Sequence, residues 1–262
     1  MPNNSAETKT ERKAFVLLSG GLDSTTCLYK AIQDYEPYKG AAIEVFDEFR
    51  PCNFVEAVSI NYGQRHIKEA AYAEKTCYKF GIQHTIINLE HILGGAMLTD
   101  KSVEIPNVSY NDLPVGVSPT YVPFRNGTLL SLITAHAQKW VNAAEWGPRG
   151  AGIYFGAHSE DAANWAYPDC TPEFIGSMAN AIYIGSYNAI RLHTPLQWLM
   201  KSEIVELGNK LGVDFADTWS CYKGEKLHCG VCPTCRSRRE AFIAADVTDP
   251  TEYAQDIPQA AE

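Results

Sequence analysis

Two short strings in this chain hold residue types whose spacing suits chemistry. The first is Ser19-Gly20-Gly21-Leu22-Asp23-Ser24, followed by Thr25. Its paired glycines let the backbone curl so that successive N–H groups converge on one anion. The hydroxyls of Ser19, Ser24 and Thr25 suit phosphate oxygens. Asp23 would repel a phosphate and is better suited to holding the loop or a magnesium ion. The spacing is not G-x4-G-K-[ST], so this is not a Walker-type kinase loop. The second string is Cys221-x7-Cys229-x2-Cys232-x2-Cys235. Four thiolates this close can wrap one tetrahedral ion, with no position left for a substrate, so the metal is expected to be structural. Zinc is the first reading and an iron–sulfur cluster the competing one. The stretch between these cysteines has little apolar content, so metal binding is expected to supply its folding energy.

The elements around these strings can be read from period and punctuation. Residues 14–18 form a short apolar run that stops at Ser19-Gly20-Gly21, as a buried parallel strand does. Asp23 and Ser24 then offer capping side chains to a first helix. Further strands are expected at 55–60, 85–89, 152–156 and 189–193. Helices are expected at 67–80, 125–144, 172–184 and 201–210. Residues 90–123 are long and without period, which suggests a binding loop or lid. A second polar loop covers 157–171. Strand alternating with helix gives an α/β fold with a doubly wound, mostly parallel sheet. The expected organisation is a flexible tail (1–13), an α/β domain with the phosphate-suited loop (14–217, with an insertion at 35–53), a zinc module (218–245) and a C-terminal tail (246–262). Three strand ends carry unusual polar loops, SGGLDS, NYGQRH and GAHSED, and ligands bind at strand ends in such sheets.

The chain has 22 Lys and Arg against 31 Asp and Glu, a net charge of −9. That counts against a large nucleic-acid footprint, which needs a basic surplus. No apolar run reaches the ~20 residues of a membrane span. The first residues lack the apolar core of an export signal, so a cytoplasmic location is expected, with the cysteines as thiols or metal ligands.

SGGLDST resembles the pyrophosphate loop (PP-loop) of the ATP pyrophosphatases, which cleave ATP between the α and β phosphates and transfer AMP to an acceptor oxygen. Further strings match one family of this class, the 7-cyano-7-deazaguanine (preQ0) synthases. They are Tyr62-Gly63-Gln64-Arg65-His66, Val122-Pro123-Phe124-Arg125-Asn126, Gly156-Ala157-His158-Ser159-Glu160-Asp161, Tyr167-Pro168-Asp169-Cys170, Thr194-Pro195-Leu196 with Lys201-Ser202-Glu203-Ile204, and Thr218-Trp219-Ser220-Cys221-Tyr222, with the four-cysteine tail. The match runs over nearly the whole chain, and the order and spacing of the strings make it specific. The resemblance implies conversion of 7-carboxy-7-deazaguanine and ammonia to the nitrile, through an adenylate and an amide, on the route to queuosine and related bases. It implies ATP, a structural Zn2+ and Mg2+. Both a monomer and a homodimer are compatible with it.

On this reading Leu18, Ser19, Gly20, Gly21, Leu22, Asp23, Ser24, Thr25, Thr26, Cys27 and Leu28 carry the ATP. Asp23, Ser24, Arg65, Arg125 and Lys201 are the expected catalytic groups, the cations stabilising charge in adenyl transfer. A deazaguanine edge presents N–H donors, so a carboxylate is its natural partner. Glu160, Asp161 and Asp169 are the candidates, with Tyr62 and Gln64 beside the base. Tyr121 and Tyr167 are alternatives for stacking. His66 and His158 are candidate proton shuttles or structural histidines. Two other readings compete. One is a relative that joins the activated acid to a different amine, or a tRNA-thiolation-type enzyme using Cys27 or Cys170. The other is a non-catalytic zinc-bearing nucleic-acid adaptor, supported by Arg236, Arg238 and Arg239.

Overall fold

Apolar runs without polar alternation form the centre of the sheet, because a parallel strand is covered on both faces. The computed structural model describes residues 11–35, 54–64, 68–90, 92–100, 102–110, 116–143 and 150–255. The expected tail at 1–10, most of the insertion (36–53), Arg65, His66, the turn at 144–149 and residues 256–262 lie outside them.

The strands are β1 (Glu11–Leu17), β2 (Val55–Asn61), β3 (Gln83–Asn88), β4 (Gly150–Tyr154) and β5 (Ile190–His193). The main helices are α1 (Leu22–Tyr35), α2 (Lys68–Phe80), α3 (Arg125–Asn142), α4 (Pro172–Gly185), α5 (Lys201–Leu211) and α6 (Pro233–Ala244). The strand order is β3-β2-β1-β4-β5, and every pairing is parallel. Ala14 lies opposite both Val55 and Gly152, so β1 is the centre of the sheet. Chain order reverses between β1 and β4, the switch point at which such sheets bind ligands. The expected doubly wound α/β sheet is the fold observed.

Alternate residues of each strand feed opposite faces. Val16 and Ala57 join Leu28, Ala73, Ile204 and Phe215 on one side. Phe15, Val58 and Ile153 join Leu130, Ile133, Ile175 and Ile182 on the other. Ala241 and Phe242 of α6 belong to the first cluster, so the helix that follows the cysteine string is built onto the main core.

Two expected tails are shorter than the sequence suggests. Glu11–Lys13 are strand, and Lys13 is buried. A lysine can sit there because its Nζ lies 2.6 Å from Glu56 Oε2 and over the rings of Phe15 and Trp140. Glu56 also bonds His136 Nε2 (2.6 Å) and Thr85 Oγ1 (2.9 Å). Residues 249–254 likewise dock on the body: Ala254 N–H donates to His228 O at 2.8 Å, and Asp249 pairs with Arg238. These contacts are polar and unperiodic, so apolar pattern could not reveal them.

Burial works to push the Glu56 carboxyl up, but Lys13, His136 and Thr85 outweigh it and hold the group below its ordinary value. A carboxyl lowered in the fold stabilises it above the unfolded pKa and loses that contribution as pH falls through the folded value. Glu56→Gln is therefore expected to cost about 3 kcal/mol at neutral pH, by leaving Lys13 buried without its counter-charge. The gap to wild type narrows as pH drops below the usual glutamate pKa of ~4.3. Urea unfolding at pH 7 and pH 4 checks this; a gap independent of pH would remove the network from the stability account.

Candidate active site

The loop after β1 and the loop after β4 flank the switch point, and a cavity of about 980 Å³ opens between them. Leu18, Ser19, Gly21, Leu22, Asp23 and Ser24 line it. The loop is braced from within. Ser19 N–H donates to Ser24 Oγ (3.2 Å), and Gly21 N–H donates to Ser19 Oγ (3.2 Å). The first bond of α1 runs from Thr25 N–H to Gly21 O at 3.0 Å. The N–H groups of Leu22, Asp23 and Ser24 thus have no partner within the helix, and with the helix dipole they are suited to an anion.

Gly20 has φ +93, and a Cβ there would stand 2.1 Å from Glu69 O and 2.9 Å from Ala73 N. Only glycine allows the loop to press this closely on α2. Thr25, Thr26, Cys27 and Leu28, expected to carry ATP, are instead buried and do not line the cavity. The helical period turns them away from the loop mouth; Cys27 and Leu28 enter the core. Gly20 lies beneath the lining surface.

Lys201, the first residue of α5, points its Nζ at Asp23 Oδ2 (2.5 Å). His158 Nε2 lies 3.9 Å from the same oxygen and 3.3 Å from Asp161 Oδ2. Burial tends to raise the Asp23 carboxyl, but Lys201 and then His158 outweigh it and hold it below the usual carboxylate range. Asp23 Oδ1 is buried without a hydrogen-bond partner, as are both ring nitrogens of His158.

Elsewhere in the cavity, the first turn of α3 delivers Arg125 and the turn after β2 delivers Tyr62, close enough for each to act electrostatically on the other. Burial opposes the charge of Arg125, but Tyr62, Cys170 and Asp169 favour it more strongly, so the guanidinium is retained. Gln64 lines the cavity while its Oε1 accepts from Tyr62 N–H at 2.9 Å, bracing that turn. Of the three candidate carboxylates, only Asp161 lines the cavity. Glu160 Oε2 accepts the backbone N–H of Lys201 (2.6 Å) and fixes the start of α5. Asp169 Oδ2 accepts the backbone N–H of Asn126 (2.9 Å) and fixes the start of α3. Both serve the elements that carry the cations. Tyr121 and Tyr167 spend their hydroxyls on Phe124 N–H and Thr120 Oγ1.

Several lining groups were absent from the sequence reading. Glu69 lies in the first turn of α2, and burial pushes its carboxyl up to about 8 against the pull of Arg125. Tyr110 and Tyr222 meet hydroxyl to hydroxyl at 2.9 Å. Ser59 donates to Leu18 O at 2.6 Å under the phosphate loop. Tyr222 stood inside a quoted string, whereas Glu69 and Tyr110 carry no local signature.

The sulfurs of Cys221, Cys229, Cys232 and Cys235 all lie within 4.8 Å of one another, and all four residues are buried. Tetrahedral bonds of ~2.3 Å place sulfurs roughly 3.8 Å apart, so one ion fits them. A multi-iron body would need the sulfurs further apart. Cys229 and Cys232 N–H groups each donate to a sulfur of the set at 3.3 Å, which suits thiolates. Gly230 makes the turn between ligands with φ +80, and a Cβ there would stand 2.1 Å from Gln255 O.

Arg236, Arg238 and Arg239 do not form a basic surface. Arg238 is 1% exposed. Arg236 Nε donates to Val231 O, and Arg239 lies over the Tyr253 ring. Their spacing on one helix suggested a patch, but packing consumes them. Among the described residues no helix is long and apolar enough to cross a membrane.

Fold and site together define an α/β protein of the doubly wound class, with a glycine-bearing loop at its switch point and, near it, four cysteines that could hold one metal ion. Residues 13–246 match the family described as Queuosine biosynthesis protein QueC, and the chain belongs to that family. It is 39% identical over 245 residues to the 7-cyano-7-deazaguanine synthase of Methanoregula boonei, covering 92% of this chain and 99% of the relative. The enzyme of the same name from Caldicellulosiruptor saccharolyticus is 37% identical over 248 residues, covering 94% and 97%. That from Thermoplasma acidophilum is 36% identical over 248 residues, covering 92% of each.

Proposed function

We propose that this chain is an ATP-dependent carbon–nitrogen ligase that converts 7-carboxy-7-deazaguanine and ammonia to 7-cyano-7-deazaguanine, releasing AMP and pyrophosphate. The observation that carries the reading is one cavity holding both the phosphate loop, with its Asp23–Lys201 pair, and the Tyr62–Arg125 pair. The loop and the first turn of α1 hold the pyrophosphate part of ATP. Lys201 stabilises the charge that develops at the α phosphate. Asp23 Oδ1 would hold the Mg2+ that accompanies ATP; the ion neutralises phosphate charge. Arg125 binds the carboxylate of the acid, and Asp161 accepts from the N–H edge of its base. Glu69, with a pKa near working pH, takes a proton from ammonia as it attacks the adenylate. A second activation of the amide oxygen then gives the nitrile. The homologues' names support this product, and the 2.5 Å contact of Lys201 with Asp23 supports its place at the phosphates.

The thiolation reading loses support because burial raises the thiols of both Cys27 and Cys170, leaving neither as a ready thiolate. The adaptor reading loses its arginine patch.

The test is AMP release on mixing the protein with ATP, the acid and ammonium, against the same mixture with other primary amines. Ammonium-dependent AMP supports the proposal. AMP formed only with another amine, or not at all, refutes it. Asp161→Asn is expected to weaken binding of the acid about tenfold, by exchanging a charged acceptor for a half-donor amide, with ATP binding within twofold of wild type. Calorimetry with each ligand separately checks it; an equal loss for ATP would take Asp161 out of the base pocket.

The metal is proposed to be Zn2+, held by the four cysteines and closed to substrate. Cys232→Ser is expected to lower metal content and melting temperature together. Elemental analysis beside a thermal melt reads both. A variant that loses metal without losing stability would contradict the structural role, and visible absorbance with bound iron would contradict zinc.

A further inference from the structure

The phosphate loop is gripped from outside at one backbone point. Trp219 N–H donates to Gly20 O at 2.9 Å, and Trp219 is 2% exposed. The residues on either side of Trp219 are both held by the same side chain. Arg238 Nη1 donates to Thr218 Oγ1 (2.8 Å) and to Ser220 Oγ (3.2 Å). Its Nη2 donates to Phe215 O (3.0 Å), at the start of the short 3-10 turn that leads into this segment. Its Nε donates to Asp249 Oδ1 (3.3 Å). Asp249 is itself fixed by the Tyr253 hydroxyl (2.6 Å) and the Thr251 N–H (3.1 Å). Only a guanidinium offers donors in a rigid plane to four acceptors at once; a lysine ammonium has three donors and no plane. Arg238 lies on α6, one helical turn after Cys235, so the helix that begins at the cysteine centre aims it. Thr234 on the same helix adds a bond to Ser220 O at 2.7 Å.

We propose that Arg238 is a positioning residue for the nucleotide: it clamps residues 218–220, whose Trp219 N–H fixes Gly20, and so sets the affinity of the phosphate loop for ATP. The cysteine centre, α6 and the segment around Asp249 then form one strut beneath the loop. The Tyr62–Arg125 pair is carried by the turn after β2 and by α3, and it meets that strut through the apolar cluster Tyr62 shares with Trp219 and the cysteines, with no hydrogen bond to Arg238. Arg238 reaches the cavity wall, but its Nε, Nη1 and Nη2 are committed to protein acceptors, so it acts through Trp219 rather than by touching ATP. Its charge also adds to the forces that keep Asp23 ionised.

The inference rests on the phosphate loop being the ATP site. Binding of α,β-methylene-ATP and of the 7-carboxy-7-deazaguanine acid is measured separately by calorimetry, with metal content and melting temperature recorded for each protein. Arg238→Lys keeps the charge and loses the fork. It is expected to weaken the ATP analogue tenfold or more, leave the acid within twofold of wild type, and retain its metal. An unchanged ATP affinity, or an equal loss for both ligands, would overturn the role. Should Arg238→Lys not fold, Thr218→Val removes one acceptor and leaves the arginine and the cysteines in place. It is expected to weaken the ATP analogue at least threefold, and an unchanged affinity overturns the inference. Wild type that binds the acid but not the analogue would refute the phosphate-loop reading itself, a result separate from any variant's.

Discussion

Lys201→Met is expected to lower the rate of AMP formation by about 10²–10³, the usual loss when one preorganised charge at a reacting centre is removed. Lys201 is not a solvated helix residue: its side chain is 19% exposed and its Nζ bonds Asp23 at 2.5 Å. The backbone N–H of Lys201 is held in turn by Glu160, so the first turn of α5 is fixed against the loop after β4. Methionine keeps an unbranched stem as far as Cε and deletes the charged Nζ. Asp23 would lose its main counter-charge, but its side chain is 25% exposed, so water takes up part of the lost pairing and the fold persists. The readout is single-turnover AMP release at saturating ATP, with circular dichroism as the folding control. A folded variant within threefold of wild type would remove Lys201 from the chemistry.

Gly20→Ala is expected to be the most damaging change of a single methyl group. At φ +93 any Cβ is strained, and here it would overlap backbone atoms of α2, Glu69 O at 2.1 Å and Ala73 N at 2.9 Å. Backbone cannot rotate aside as a side chain can, so either the loop or α2 must move. A cost of at least about 3 kcal/mol follows, or roughly 6–12 °C in melting temperature for a domain of this size. ATP binding is expected to fall with it, because the N–H groups of the loop lose their convergence. Gly176→Ala is the control: its site in α4 is open, with nothing within 4 Å, and the change should be neutral or slightly stabilising. Equal stability and full ATP binding in the two variants would contradict the close approach of loop and helix.

The order and type of these elements were legible because parallel strands and amphipathic helices write their periods into the chain. Residues 14–18 and 152–156 are short, largely apolar runs that stop at polar loops, and these strands flank the site. The phosphate loop and the cysteine set were legible because each is a local string. Groups that reach the cavity from distant elements without such a string were not. Glu69 reads as an ordinary first-turn acid of a helix, and Arg238 as one of several arginines on a polar one. Asp169 and Glu160 show the opposite failure. Both stand in strings that match the family, yet their carboxylates accept backbone N–H groups at the starts of α3 and α5. A carboxylate near a site and a carboxylate that braces a site have the same sequence signal, and only burial and partners separate them. The segment around Asp249 was read as tail because it has no apolar period, although it anchors Arg238.

The most direct test of the central claim is isotope tracing of the full reaction. The acid is labelled with ¹⁸O in both carboxylate oxygens and incubated with the protein, ATP and ¹⁵N-ammonium, and the products are weighed by mass spectrometry. Each activation moves one carboxyl oxygen onto the α phosphate, so the account predicts a nitrile with one ¹⁵N and no ¹⁸O. It also predicts two molecules of AMP per nitrile, each carrying one ¹⁸O. Label in phosphate with ADP formed, or AMP without label, would contradict adenylation of the acid at this site.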